Sequence, residues 1–260
     1  MGFTTFFVYA IIRAMNCKIT IQYDGTRYGG WQKQGNTDNT IQGKLENILT
    51  RMSGYPVEIH GAGRTDAGVH ALGQTANFHL RERAGLMDVK MYLNQYLPDD
   101  IEVTDIAEMP DRFHSRLHAC DKTYAYRIGT DECKSVFERK YRYHYGEKLD
   151  VGLMEKAASY CLGTHDFKGF CANRRIRKST VRTLTEICFE QKEHDLVISY
   201  TGNGFLYHMV RILTGTLIEV GEGKRPPEDI KKILEEKNRQ LAGFTAPAMG
   251  LTLLQVRYEK

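Results

Sequence analysis

The sequence predicts an α+β fold in which most strands pair antiparallel. Strand-like and helix-like segments are interspersed along the chain, but they do not alternate strictly as in a parallel α/β protein. Residues 184–189 and 196–200 read as two antiparallel strands, with the turn Lys192-Glu193-His194-Asp195 between them. The 260 residues, 42% hydrophobic and 26% charged, have the composition of an ordinary globule with room for one large domain or two small ones.

Residues 17–23 read as a strand, with Ile19 and Ile21 facing one way. Residues 40–52 read as an amphipathic helix: Ile41, Leu45, Ile48 and Leu49 share one stripe, and Thr40 is placed to cap it. Strands at 57–60 and 74–80 flank a glycine-rich connection. A helix at 86–96 ends at Pro98, and a strand follows at 101–107. Residues 111–118 read as extended chain. The second half repeats this style. It has strands at 123–129 and 141–145, then a helix at 151–162 with Leu153, Ala157, Tyr160 and Cys161 facing in. After the strand pair come a strongly apolar helix at 205–220, a charged helix at 227–238 and a closing strand at 251–258. The two halves are placed at 15–112 and 113–260, and no sequence periodicity shows them to be duplicates. Residues 1–14 are expected to be a mobile extension. Their apolar run, 3–12, is too short to cross a bilayer. It also lacks the preceding positive charge and the small-residue cleavage site of a signal peptide.

The formal net charge of +4 is a mild bias toward a polyanionic partner. The six cysteines are scattered and form no C-x-x-C pair, which points away from a zinc ribbon or disulfide scaffold and toward reduced thiols in a cytoplasmic protein. His114 and His118 have helical ligand spacing but sit on a stretch read as extended, with no third ligand, so no metal site is expected.

The connection Gly61-Ala62-Gly63-Arg64-Thr65-Asp66-Ala67-Gly68-Val69-His70-Ala71 holds a carboxylate and a guanidinium among small residues, anchored by a strand on each side. Turn formation explains the glycines. It does not explain Arg64 and Asp66 two apart, so this loop is read as a site. Arg211 lies in the apolar helix, where a charge must find a partner or reach solvent. Spacing puts it on one face with His208 and Gly215, while Phe205, Met209 and Ile212 read as core. Tyr124 and Tyr126 share a strand face, so alternation alone does not say which enters a site. The run from Asn173 to Arg182, with Arg174, Arg175, Arg177, Lys178 and Arg182 and no acid, falls on an expected loop free to track phosphates outside the pocket. Arg27, Lys33 and Arg116 are further candidates for such contacts.

The loop GAGRTDAGVHA closely resembles the active-site loop of the tRNA pseudouridine synthase A family. Further matching segments follow in the family's order: Tyr23-Asp24-Gly25-Thr26, Thr40-Ile41-Gln42-Gly43, Phe113-His114-Ser115-Arg116, Lys122-Thr123-Tyr124-Ala125-Tyr126, Phe205 to Arg211, and Gly250-Leu251-Thr252-Leu253. The resemblance runs from about residue 15 to the C-terminus. It implies two related α/β halves whose sheets meet, with a cleft between them, and an enzyme that isomerises uridine to pseudouridine at positions 38, 39 and 40 of tRNA. It assigns catalysis to Asp66. It makes Arg211 the partner of Asp66, and leaves Arg64 to pair with Asp66 or to hold a phosphate. Tyr124 is chosen over Tyr126 to stack on the base and to accept the C5 proton, and Leu251 is set under the uracil. The resemblance also implies a homodimer without metal or cofactor. The rival readings are an RNA-binding protein that has lost catalysis, a synthase with another RNA target, and a glycoside hydrolase, which would normally need a second carboxylate.

Overall fold

The computed structural model describes residues 14–259, so the expected mobile extension lies outside the described residues apart from Ala14. Among them, ten strands form one sheet, and eight of these follow the order β4-β1-β3-β10-β5-β9-β8-β7. The strands are β1 (Met15–Tyr23), β2 (Ile59–Gly61), β3 (His70–Leu80), β4 (Ile101–Met109), β5 (Ala119–Gly129), β6 (Tyr143–His144), β7 (Gly163–Asp166), β8 (Val181–Lys192), β9 (Asp195–Gly202) and β10 (Leu251–Tyr258). Neighbours along that order are antiparallel except at the centre. There β10 runs parallel to β3, with Thr252 opposite His70 and Leu253 opposite Ala71. The last strand of the chain thus joins the strands of its first half to those of its second.

Among the described residues five α-helices accompany the sheet: α1 (Ile41–Ser53), α2 (Leu86–Tyr96), α3 (Val151–Ser159), α4 (Met209–Gly221) and α5 (Asp229–Glu236). Helix α1 begins as expected. The Thr40 hydroxyl accepts from the Gly43 N–H at 3.2 Å, and Gly54 ends the helix in the left-handed region. Its stripe of Ile41, Leu45 and Leu49 is fully buried, each side chain contributing about 1.5–3 kcal/mol of transfer free energy. In α4 every residue is buried except Arg211 and Glu219. The hydroxyls of Thr214 and Thr216 are satisfied by the carbonyls of Val210 and Ile212 four residues back, at 2.9 and 2.7 Å.

Several boundaries differ from the sequence expectation. Helix α4 starts at Met209 rather than 205, because His208 has φ +62° and cannot continue a right-handed helix. His208 therefore shares no helical face with Arg211 and Gly215. Strand β8 extends to Lys192 because its outer half pairs with β9 while facing solvent, so its polar residues do not mark a loop. Residues 111–118 turn rather than extend: the His118 N–H donates to the His114 carbonyl at 3.1 Å.

Candidate active site

The loop between β2 and β3 is braced from every side. The Ala62 N–H donates to the Thr75 carbonyl at 2.7 Å, and the Trp31 N–H to the Thr65 carbonyl at 3.0 Å. The Gln74 amide donates to the Gly63 carbonyl at 3.1 Å, and the buried Tyr23 and Thr65 hydroxyls lie 2.8 Å apart. Two glycines permit this packing. Gly30 has φ +100°, and a Cβ there would sit 2.7 Å from the Thr65 carbonyl oxygen. At Gly61 a Cβ would come within 2.5 Å of the Trp31 indole. The carboxylate on this loop is therefore held by a rigid backbone.

Asp66 is 20% exposed, and its Oδ2 accepts from Arg211 Nη1 at 3.3 Å. The same guanidinium donates through Nε to the Ala246 carbonyl at 2.7 Å, and the Ala246 N–H returns to the Arg211 carbonyl at 3.0 Å. The buried helix thus delivers its one cation, itself only partly buried, to the loop, fixed at two points. Arg64 does not pair with Asp66. It is exposed at the cleft wall and makes no hydrogen bond or ion pair among the described residues.

Tyr124 and Leu251 are buried and line the same cleft, while Tyr126 is fully buried and donates to the Pro247 carbonyl at 2.8 Å. Burial, with smaller contributions from Tyr23 and Asp66, pushes the Tyr124 phenol above its ordinary pKa, so it is neutral near pH 7. Phe205, expected in the core, packs half-buried against it and also lines the cleft, where it meets Tyr124 edge-on with ring centroids 5.1 Å apart. It lies before α4, where its side chain is free of the helix interior. Lys122 gave no signal in the sequence, since a lysine on a strand ordinarily faces solvent. Here its ammonium turns inward and donates to the Ala62 carbonyl at 2.7 Å. Burial, with Arg116 and Arg182 nearby, pushes its pKa down to about 8.

The cleft has a volume of about 1420 Å³ and lies over β2, β5 and β10. The basic run was expected outside the pocket. It forms a wall of this same cleft, with Arg174, Arg175, Arg177 and Lys178 exposed along it. Arg64, Arg116, Lys122 and Arg182 add to it, against only Asp66 and Glu58 among the lining acids. The Glu58 side chain is 76% exposed and beside His60. Such a field suits a polyanion with one nucleotide turned inward to the carboxylate.

A family model described as tRNA pseudouridine synthase matches residues 19–116 and 157–259. The chain is 50% identical to the tRNA pseudouridine synthase A of Bacillus sp. (strain KSM-64), over 92% of this chain and 97% of that protein. It is 47% identical to a tRNA pseudouridine synthase A 2 of Bacillus cereus (strain ATCC 14579), over 94% and 99%. Against a tRNA pseudouridine synthase A 1 of Clostridium tetani the identity is 44%, with coverages of 94% and 99%. Matched through both halves by the family model and over nine-tenths of its length by these relatives, the chain belongs to the tRNA pseudouridine synthase family.

Proposed function

We propose that this protein isomerises uridine to pseudouridine in the anticodon arm of tRNA, at positions 38, 39 and 40, with Asp66 as the catalytic carboxylate. The observation that carries this reading is the state of Asp66 in a cleft of cations. One oxygen is tied to Arg211, while Oδ1 accepts no hydrogen bond among the described residues. The target uridine leaves the stack to reach it. The N1–C1′ bond then breaks, the uracil turns, and C5 bonds to C1′. The proton on C5 leaves and N1 gains one, so the atoms balance without a co-reactant. A carboxylate can drive this by attack on C1′, by attack on C6 or by assisting a glycal, and each route uses an unprotonated Asp66 oxygen.

Tyr124 supplies the face on which the base stacks, and Leu251 the apolar surface beneath it. Because the phenol is neutral at rest, it takes the C5 proton only as it loses its own. Arg64 and the arginines at 174, 175 and 177 hold phosphates. The protein works in the cytoplasm as a homodimer, without metal or cofactor, as the family resemblance implies. Among the described residues no helix is long and apolar enough to cross a membrane. A hydrolase reading is less well supported, because Glu58, the other lining acid, is a solvated rim residue.

The test is Asp66→Asn, which keeps the shape and polarity of the loop. It should abolish pseudouridine formation and leave tRNA affinity within about threefold of native, since affinity comes mainly from phosphate contacts. Substantial residual turnover would remove Asp66 from its role.

A further inference from the structure

Arg211 is not the only group that converges on Asp66. His208 Nε2 lies 3.4 Å from the same oxygen, Oδ2. Its backbone has φ +62°, one of two left-handed residues other than glycine among those described. That region disfavours any residue with a side chain, and it persists only where the surroundings over-determine it. His208 caps α4 without a side-chain hydrogen bond, so capping does not account for a histidine here. Its position is fixed on both sides. The Ile212 N–H starts the helix on the His208 carbonyl at 2.9 Å, and the Ala172 N–H holds the Tyr207 carbonyl at 3.1 Å. The ring itself stacks on Tyr207, with centroids 3.8 Å apart and planes 29° apart.

We propose that His208 is a positioning residue for Asp66: its ring, fixed by the left-handed backbone and the Tyr207 stack, closes off Oδ2 together with Arg211 and leaves Oδ1 as the reacting oxygen. This rests on the function proposed above. The charged groups facing the ring are Asp66, Arg211 and Arg239. Burial lowers the pKa of the ring, Asp66 opposes that, and the two arginines reinforce it, so the imidazole is neutral near pH 7. In the tautomer protonated at Nε2, its N–H faces Oδ2 without adding a second full cation to the carboxylate.

Two substitutions separate the ring from the backbone. His208→Gly suits φ +62° better than histidine and removes the ring. His208→Gln keeps an amide donor at about the reach of Nε2. Both are measured for tRNA affinity, thermal stability and single-turnover pseudouridine formation at saturating enzyme. The glycine variant should bind tRNA within about twofold of native and react roughly ten- to a hundredfold more slowly, the scale on which a misplaced reacting group costs rate. The glutamine variant should recover part of that loss. A native rate in the glycine variant would overturn the proposal, as would a defect that vanishes at saturation or a glutamine variant no faster than the glycine one. A native chain that forms no pseudouridine would instead overturn the functional reading beneath it.

Discussion

Two cations reach the candidate site by different routes: Arg211 is held between Asp66 and the Ala246 carbonyl, and Lys122 turns inward onto the Ala62 carbonyl. Arg211 was legible as needing a partner or an outlet to solvent, because it is a charge in a strongly apolar helix. The identity of that partner was not written locally, since Asp66 is 145 residues away in sequence and reaches it only through the fold. Lys122 was not legible, because nothing in a strand pattern shows an ammonium turning inward to the Ala62 carbonyl. Asp66 itself was found from its loop, and Tyr124 only through the family resemblance. The surroundings of Tyr124 give a prediction with a sign. In the role proposed for it, the phenol must lose its own proton to accept one from C5, and burial opposes that loss. The phenolate fraction rises about tenfold per pH unit below the pKa. Native single-turnover product formation should therefore quicken from pH 7 to 9, while Tyr124→Phe should be slower and flat across that range. Equal rates for the two proteins would leave Tyr124 as a stacking surface alone.

At the scale of elements, two connections decide the site. The first is the loop that carries Asp66, whose bracing depends on Gly30 as much as on its own residues. Gly30→Ala places a methyl 2.7 Å from the Thr65 carbonyl oxygen at a positive φ. It should cost about 1–3 kcal/mol of stability in denaturant unfolding and slow turnover by displacing Thr65 and Asp66 together. A stable variant with native activity would show that the brace is dispensable. The second is the basic run. Its composition was legible, but its place on the cleft wall was not, because loop position depends on how β7, β8 and α4 pack. Replacing Arg174, Arg175 and Arg177 together by alanine should weaken tRNA binding. It should also lower the slope of log affinity against log salt by roughly 0.7–0.9 per lost phosphate contact. Saturating tRNA should restore a near-native single-turnover rate, and an unchanged salt slope would mark the run as a solvated face. The helix start was misread for a related reason. Residues 205–208 continue the apolar pattern of α4, and a left-handed turn at a histidine leaves no trace in that pattern.

At the scale of the molecule, the α+β class and the antiparallel pairing were legible from interspersed elements and alternation. That the sheets of the two halves meet was implied only by the family resemblance, because the joint depends on β10 crossing back to lie parallel with β3. That pairing matters for function. It sets Leu251 and the Tyr124 strand beside the strand that anchors the Asp66 loop, so one site draws on both halves of the chain. The most direct measurement supplies the purified protein with tRNA carrying tritium at uracil C5, adds no cofactor, and maps the modified bases. The expected result is release of tritium to water in step with new pseudouridine at positions 38, 39 or 40, with the RNA backbone intact and no free uracil. Failure to release tritium from any tRNA bearing these uridines, or release of free base, would contradict the assignment.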